Sequence, residues 1–111
     1  MGRVLNNLAE VYQAQERYEQ AEPLYQQALT IREQTLGLDH PLTAKTLYNL
    51  ACLYEAQAQN ERAKRLYQRA LAIREKVLGP DHPDTAAVFK SYNGLLRKMQ
   101  QTSEARRPAE M

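Results

Sequence analysis

Residues 5–44 read LNNLAEVYQAQERYEQAEPLYQQALTIREQTLGLDHPLTA, and residues 47–86 read LYNLACLYEAQAQNERAKRLYQRALAIREKVLGPDHPDTA. The two stretches align at a shift of 42 residues without a gap. Over positions 5–46 against 47–88, 24 of 42 pairs are identical, among them Gly37/Gly79 and His40/His82. Chance similarity between helical segments would not align Gly, His and Pro together, so the chain is an internal repeat. A third, degenerate copy begins at Asp84 and keeps Leu95, Gln101 and Ala105 opposite Leu53, Gln59 and Ala63.

Within a repeat the apolar residues fall at helical spacing. Leu5, Leu8 and Tyr12 form one stripe, and Ala21, Leu24, Tyr25, Ala28 and Ile31 form the next; each predicts a helix with one buried face. The breaks near residues 15–17 and 57–59 are short, so consecutive helices are expected to lie antiparallel. Gly37 and Gly79 follow the second helices as left-handed C-caps. Asp-His-Pro then places Pro41 and Pro83 at first helical positions, where the missing donor costs nothing, and gives His40 and His82 a helix-start role. Pro23 falls inside a second helix; its counterpart Arg65 lies in an uninterrupted pattern, so a bend is expected there rather than an end. In the third copy the second helix has barely started when Pro108 intervenes.

Composition agrees. Gly and Pro are few, 4 and 5 in 111 residues, while Ala, Leu, Gln, Glu, Arg and Lys, which lose little rotamer freedom in a helix, dominate. No run approaches the length of a membrane span and no basic-then-apolar leader opens the chain, so a soluble, cytoplasmic protein without membrane contact is expected. The lone Cys52 can build neither a disulfide framework nor a cysteine-rich zinc site. A net charge of +2 is too small to signal nucleic acid. The charge is uneven, with net −3 over residues 1–42, +2 over 43–84 and +3 over 85–111. Such asymmetry can favour head-to-tail contact or an acidic partner, or be scatter on solvated faces.

The segments LNNLAEVY, AEPLYQQAL, LGLDHPLTA and LGPDHPDTA resemble the tetratricopeptide-repeat family, in the 42-residue variety of kinesin light chain and many bacterial arrays. The resemblance covers residues 4 to about 105 and implies an all-α, right-handed superhelical solenoid of antiparallel helix pairs, about two and a half repeats long. It assigns residues 1–107 to a single array, with repeats at about 3–40, 41–82 and 83–107, and leaves 108–111 as a disordered tail. Ala9, Ala21, Ala28, Ala51, Ala63 and Ala70 match the family's close helix-packing points. The stretch SYNGLLRKMQQTSEA is similar to degraded last repeats and suggests a natural C-terminus. The opening directly in a first helix is what a fragment of a longer array, or a designed one, looks like.

Members of the family line a concave groove with the first helix of each repeat. Carried over by position, the peptide-binding face is Arg3, Asn6, Asn7, Glu10 and Gln13; Lys45, Tyr48, Asn49, Cys52 and Glu55; and Lys90, Ser91, Gly94 and Arg97. Within each set the helical spacing keeps the residues on one face. Asn7 and Asn49 offer both donor and acceptor, the pair needed to hold an extended peptide backbone. The chaperone-tail clamp seen in some members is not expected, because it needs Lys and Asn in the first repeat and Lys and Arg in the third, where this chain has Asn6, Glu10, Ala87 and Ser91. A role for the asparagines in solvating the groove or capping turns is the competing reading.

Other chemistry is not motivated by the sequence. His40 and His82 stand one repeat apart, too far for a shared metal, and Cys52 has no nearby base to activate it. No phosphate-cradling loop or hydrolase motif occurs, and the tyrosines recur at core spacing. The expectation is therefore a cofactor-free, non-enzymatic scaffold for a protein or peptide partner. The alternative is a self-associating module whose uncapped ends stack as a homo-oligomer, with Leu95 and Leu96 as the residues to test.

Overall fold

A computed structural model describes residues 2–106, with side chains to residue 101. The expected tail at 108–111 and Pro108 lie outside the described residues. Five helices follow one another: α1 (Gly2–Ala14), α2 (Tyr18–Leu36), α3 (Pro41–Ala56), α4 (Asn60–Leu78) and α5 (Pro83–Arg106). The fold is all-α and comprises about two and a half repeats of antiparallel helices. Each helix packs on its neighbours in the chain, and α1 also touches α3. The radius of gyration is 15.2 Å, above the roughly 13 Å of a compact domain of this length, as a short open stack requires. No helix among the described residues is long and apolar enough to cross a membrane.

The core is built from the repeated small and aromatic positions. Ala9, Ala21, Ala28, Ala51, Ala63 and Ala70 are fully buried and let the backbones approach, while Tyr25, Tyr67, Leu47, Leu50 and Leu53 fill the space between them. Burying a side chain of this size contributes about 1.5–3 kcal/mol, so these positions dominate the stability of the stack. Leu8 departs from the expected buried stripe: it is 41% exposed, whereas its counterpart Leu50 is 1% exposed. The reason is position, since Leu50 lies under α2 and no described helix covers the same face of α1.

The turns inside the repeats close on non-glycine residues. Glu16 (φ 59°) and Ala58 (φ 61°) adopt positive φ. Arg17 N–H donates to the Tyr12 carbonyl and Glu16 N–H to that of Gln13; Gln59 and Ala58 repeat both bonds on Tyr54 and Glu55. This is the paired capping pattern that satisfies the last carbonyls of a helix. A left-handed non-glycine residue costs about 1–2 kcal/mol, which packing of the following helix repays. In the third copy Gln100 stands at the same place, yet α5 runs on through it to Arg106. The expected start of a separate second helix is thus replaced by one continuous helix.

Between repeats, Gly37 (φ 98°, ψ 167°) and Gly79 (φ 90°, ψ 158°) end α2 and α4. Both have the expected positive φ, but the backbone is extended rather than left-handed helical, a region open essentially to glycine alone. Pro41 and Pro83 open α3 and α5 as expected. The Nδ1 of His40 accepts from Leu42 N–H, and that of His82 from Asp84 N–H, each at 3.0 Å. Arg32 and Arg74 then tie each second helix to the next repeat by donating to the carbonyls of Leu42 (3.0 Å) and Asp84 (3.1 Å). Pro23 is accommodated within an unbroken α2.

Candidate functional site

The first-helix faces of repeats two and three enclose an open cleft of about 720 Å3 between α3 and α5, with α4 beneath. Its walls come from a repeated spacing: Tyr48, Cys52, Glu55 and Ala56 on α3, and Ala87, Lys90, Ser91, Gly94 and Lys98 on α5. Tyr67 of α4 forms the floor. Ala56, Ala87, Ser91 and Gly94 are small, which is why the space exists. A Cβ added to Gly94 would meet nothing within 4 Å, so its backbone is open to close approach.

Two links cross the cleft. The hydroxyls of Tyr48 and Ser91 share a hydrogen bond of 2.9 Å, and Lys98 Nζ pairs with Glu55 Oε2 at 2.7 Å. The Tyr67 hydroxyl donates to Glu55 Oε1 at 2.8 Å and lies 3.3 Å from Cys52 Sγ. Tyr48 and Tyr67 pack as a tilted pair with centroids 5.8 Å apart, and the Arg74 guanidinium lies 5.8 Å from the Tyr48 ring. Burial pushes the Tyr67 and Tyr48 hydroxyls above the ordinary tyrosine range, so both remain neutral donors or acceptors at physiological pH. Burial likewise raises the Cys52 thiol, outweighing the hydrogen bonds from Tyr67 and Tyr48. Cys52 is therefore a small wall residue and a poor nucleophile.

Of the residues expected on the groove face, Tyr48, Cys52, Glu55, Lys90, Ser91 and Gly94 line this cleft. Arg97 is exposed on α5 beside it. Lys45 and Asn49 are half-buried on α3, and the Nδ2 of Asn49 is buried without a hydrogen-bond partner. On α1, Arg3, Asn7 and Glu10 are exposed, while Gln13 is held by a 2.6 Å bond from the Tyr25 hydroxyl.

Asn6 is different: it is fully buried, and its place is the interior, not the groove surface. Its Nδ2 donates to Glu10 (2.9 Å), its Oδ1 accepts from Thr46 (3.1 Å), and Thr46 accepts from the buried Arg32 (3.0 Å). In the next repeat Tyr48 and Val88 replace Asn6 and Thr46, and Arg74 faces an aromatic ring where Arg32 meets a polar chain. That exchange sends a large side chain toward Ser91.

Ala56, Ala87, Lys98 and Tyr67 were not among the expected residues. The spacing of Ala87, Ser91, Gly94 and Lys98, at i, i+4, i+7 and i+11, was the available signal. Repeat equivalence pointed instead to Arg97 as the partner position of Glu55. Among the described residues no three His, Cys, Asp or Glu side chains converge as metal ligands.

A stack of paired helices with a side-chain-lined cleft on its first-helix face defines a helical-repeat scaffold. The tetratricopeptide repeat family matches residues 1–76 and 59–111, and the chain belongs to that family, whose repeats generally mediate protein interactions and are typically non-catalytic. No curated protein matches it. Among solved structures it is similar to BtubC (BKLC) from P. vanneervenii, with a TM-score of 0.83 at 23% identity over 88% of this chain and 39% of that one. It is also similar to the nearly identical TPR-like repeats described as a kinesin light chain from Podosopora anserina, with a TM-score of 0.78 at 29% identity. That match covers 93% of this chain and 49% of the other, as does the match to a singly substituted form of the same repeats. The chain therefore spans less than half the length of these structures.

Proposed function

We propose that the chain binds an extended peptide, or an extended segment of a partner protein, along the first-helix face, with the α3–α5 cleft as its deepest point. The observation that carries this reading is the cleft itself, an open recess walled by small residues and floored by a neutral tyrosine. Binding sites of several hundred Å3 with mostly apolar walls and a few placed polar groups are the usual form of a ligand site. Gly94 admits a peptide backbone to van der Waals contact. Lys90 and the Glu55–Lys98 pair at the rim set preference among side chains.

The test is a random peptide library screened against the parent chain and an Asn7→Ala/Asn49→Ala variant of verified helicity. Enrichment on the parent, lost in the variant, is the expected result. Equal enrichment on both, or none on either, would refute the groove assignment.

A further inference from the structure

The seam between α2 and α4 is closed by charge over one half of its length. Arg69 of α4 pairs with Glu33 of α2, and Lys76 of α4 pairs with Asp39 in the loop after α2. Nearer the start of α4, Arg62 and Arg65 stand at i and i+3 beside Gln26 and Leu29 of α2. Among the described residues neither arginine has an ion pair. Arg62 donates to Gln59 Oε1 at 3.2 Å and lies 5.5 Å from the Tyr54 ring. Arg65 is exposed and has no hydrogen bond among the described residues.

At this half of the seam a recess of about 230 Å3 opens between the helices. Leu29, Leu50 and Leu66 floor it and Tyr54 forms a wall. The lining comes from α2, α3 and α4, so the recess is complete within the chain. It shares no residue with the α3–α5 cleft, and Leu50 and Tyr54 stand on nearly the opposite face of α3 from Tyr48, Cys52 and Glu55. The mouth is organised around the Tyr54 hydroxyl, which donates to Glu22 (2.8 Å) and accepts from Gln26 (3.0 Å). Glu22, the one carboxylate in this network, is engaged by that hydroxyl and does not line the recess. The volume lies below the roughly 300–1,000 Å3 of a site for a whole small molecule and suits a single aliphatic side chain. An apolar anchor seated in a pocket with a polar rim is the anatomy of a protein-interface hot spot, where arginine is enriched. A cationic partner would meet Arg62 and Arg65 as like charges, whereas flanking carboxylates would supply the counter-charge that Glu33 and Asp39 give to Arg69 and Lys76.

We infer that this recess is a second docking site, for a segment of a partner protein in which an aliphatic side chain is flanked by acidic ones. The aliphatic group enters over Leu29, Leu50 and Leu66, and the carboxylates meet Arg62 and Arg65. The site needs nothing from the groove reading. The probe is a short Gly/Ser peptide, acetylated and amidated at its ends, that carries one Glu-Leu-Glu, titrated into the isotope-labelled full chain and followed by amide NMR shifts. Saturable shifts should centre on Leu29, Tyr54, Arg65 and Leu66. Alanine in place of the peptide's leucine should weaken binding on the order of 10-fold, through lost apolar burial. Arg62→Gln/Arg65→Gln, at exposed positions that leave the circular dichroism unchanged, should weaken it about threefold or more. Gly94→Leu, which fills the α3–α5 cleft, should leave it unaltered, and a Lys-Leu-Lys peptide should not bind. The absence of shifts at millimolar peptide would overturn the proposal, as would shifts centred on Tyr48, Ser91 and Lys98. So would equal affinity for the leucine and alanine peptides, the mark of charge attraction without an anchor, or for the Glu-flanked and Lys-flanked ones.

Discussion

Substituting Gly94 separates the stability of the array from the use of its cleft. Gly94 lies in the middle of α5, is exposed, and has none of the positive φ found at Gly37 and Gly79. Its helical backbone therefore carries the entropic cost of glycine without needing glycine's freedom. Alanine is favoured over glycine in a helix interior by about 0.8–1 kcal/mol, and nothing lies within 4 Å of the added Cβ to offset the gain. Gly94→Ala should raise the unfolding free energy by about 1 kcal/mol, a shift of roughly 4 °C in Tm for a chain of this size. Gly94→Leu should keep most of that gain, because leucine is also a good helix former, while its side chain projects into the recess that a peptide would occupy. Urea unfolding followed by circular dichroism measures the first effect, and fluorescence anisotropy with a library-selected peptide measures the second. The expected pattern is a more stable protein that binds less. A loss of stability in Gly94→Ala would refute the open environment assigned to this residue. Undiminished binding by Gly94→Leu would refute the cleft as the ligand's path and leave the stability argument standing.

Gly79→Ala should act in the opposite direction, destabilising by about 1–3 kcal/mol although its Cβ also meets nothing within 4 Å, because φ 90° with ψ 158° is strained for any residue with a side chain; the same urea titration checks it. Alkaline pH should unfold the array through Tyr25 and Tyr67, whose hydroxyls burial raises above the usual value. A raised folded pKa keeps its stabilising contribution below the unfolded pKa, about 10. The contribution is lost as pH climbs from there toward the folded value, by up to about 1.4 kcal/mol per pH unit for each tyrosine. Tyr67→Phe should flatten that decline in urea midpoints measured between about pH 9 and 11, and an unchanged slope would contradict the assignment.

The repeat period, the helix pairs and the proline-opened starts were legible because each rests on local chemistry repeated 42 residues apart. What could not be read locally was anything set by neighbours across the stack. Asn6 and Asn7 are adjacent amides, yet one is interior and the other exposed, and the difference comes from Thr46 and Arg32, which lie 40 and 26 residues away. The left-handed Glu16 and Ala58 had no signature, since the residue types do not ask for that conformation and only the returning helix makes it worthwhile. The position equivalent to Ala58 in the third copy is Gln100, and there α5 continues through it to Arg106.

Leu8 and Leu50 carry the argument furthest. They are the same residue in the same motif, and their exposures of 41% and 1% differ only because one has α2 above it. A repeat sequence encodes the surface that each unit presents but not whether that surface is covered. What distinguishes one unit from the next lies in the variable positions instead, where Arg62, Arg65, Arg69 and Lys76 stand opposite Gln20, Pro23, Gln27 and Gln34. Identity between repeats therefore reports the fold, and departures from identity, such as Tyr48 and Val88 in place of Asn6 and Thr46, shape the surface that each unit presents.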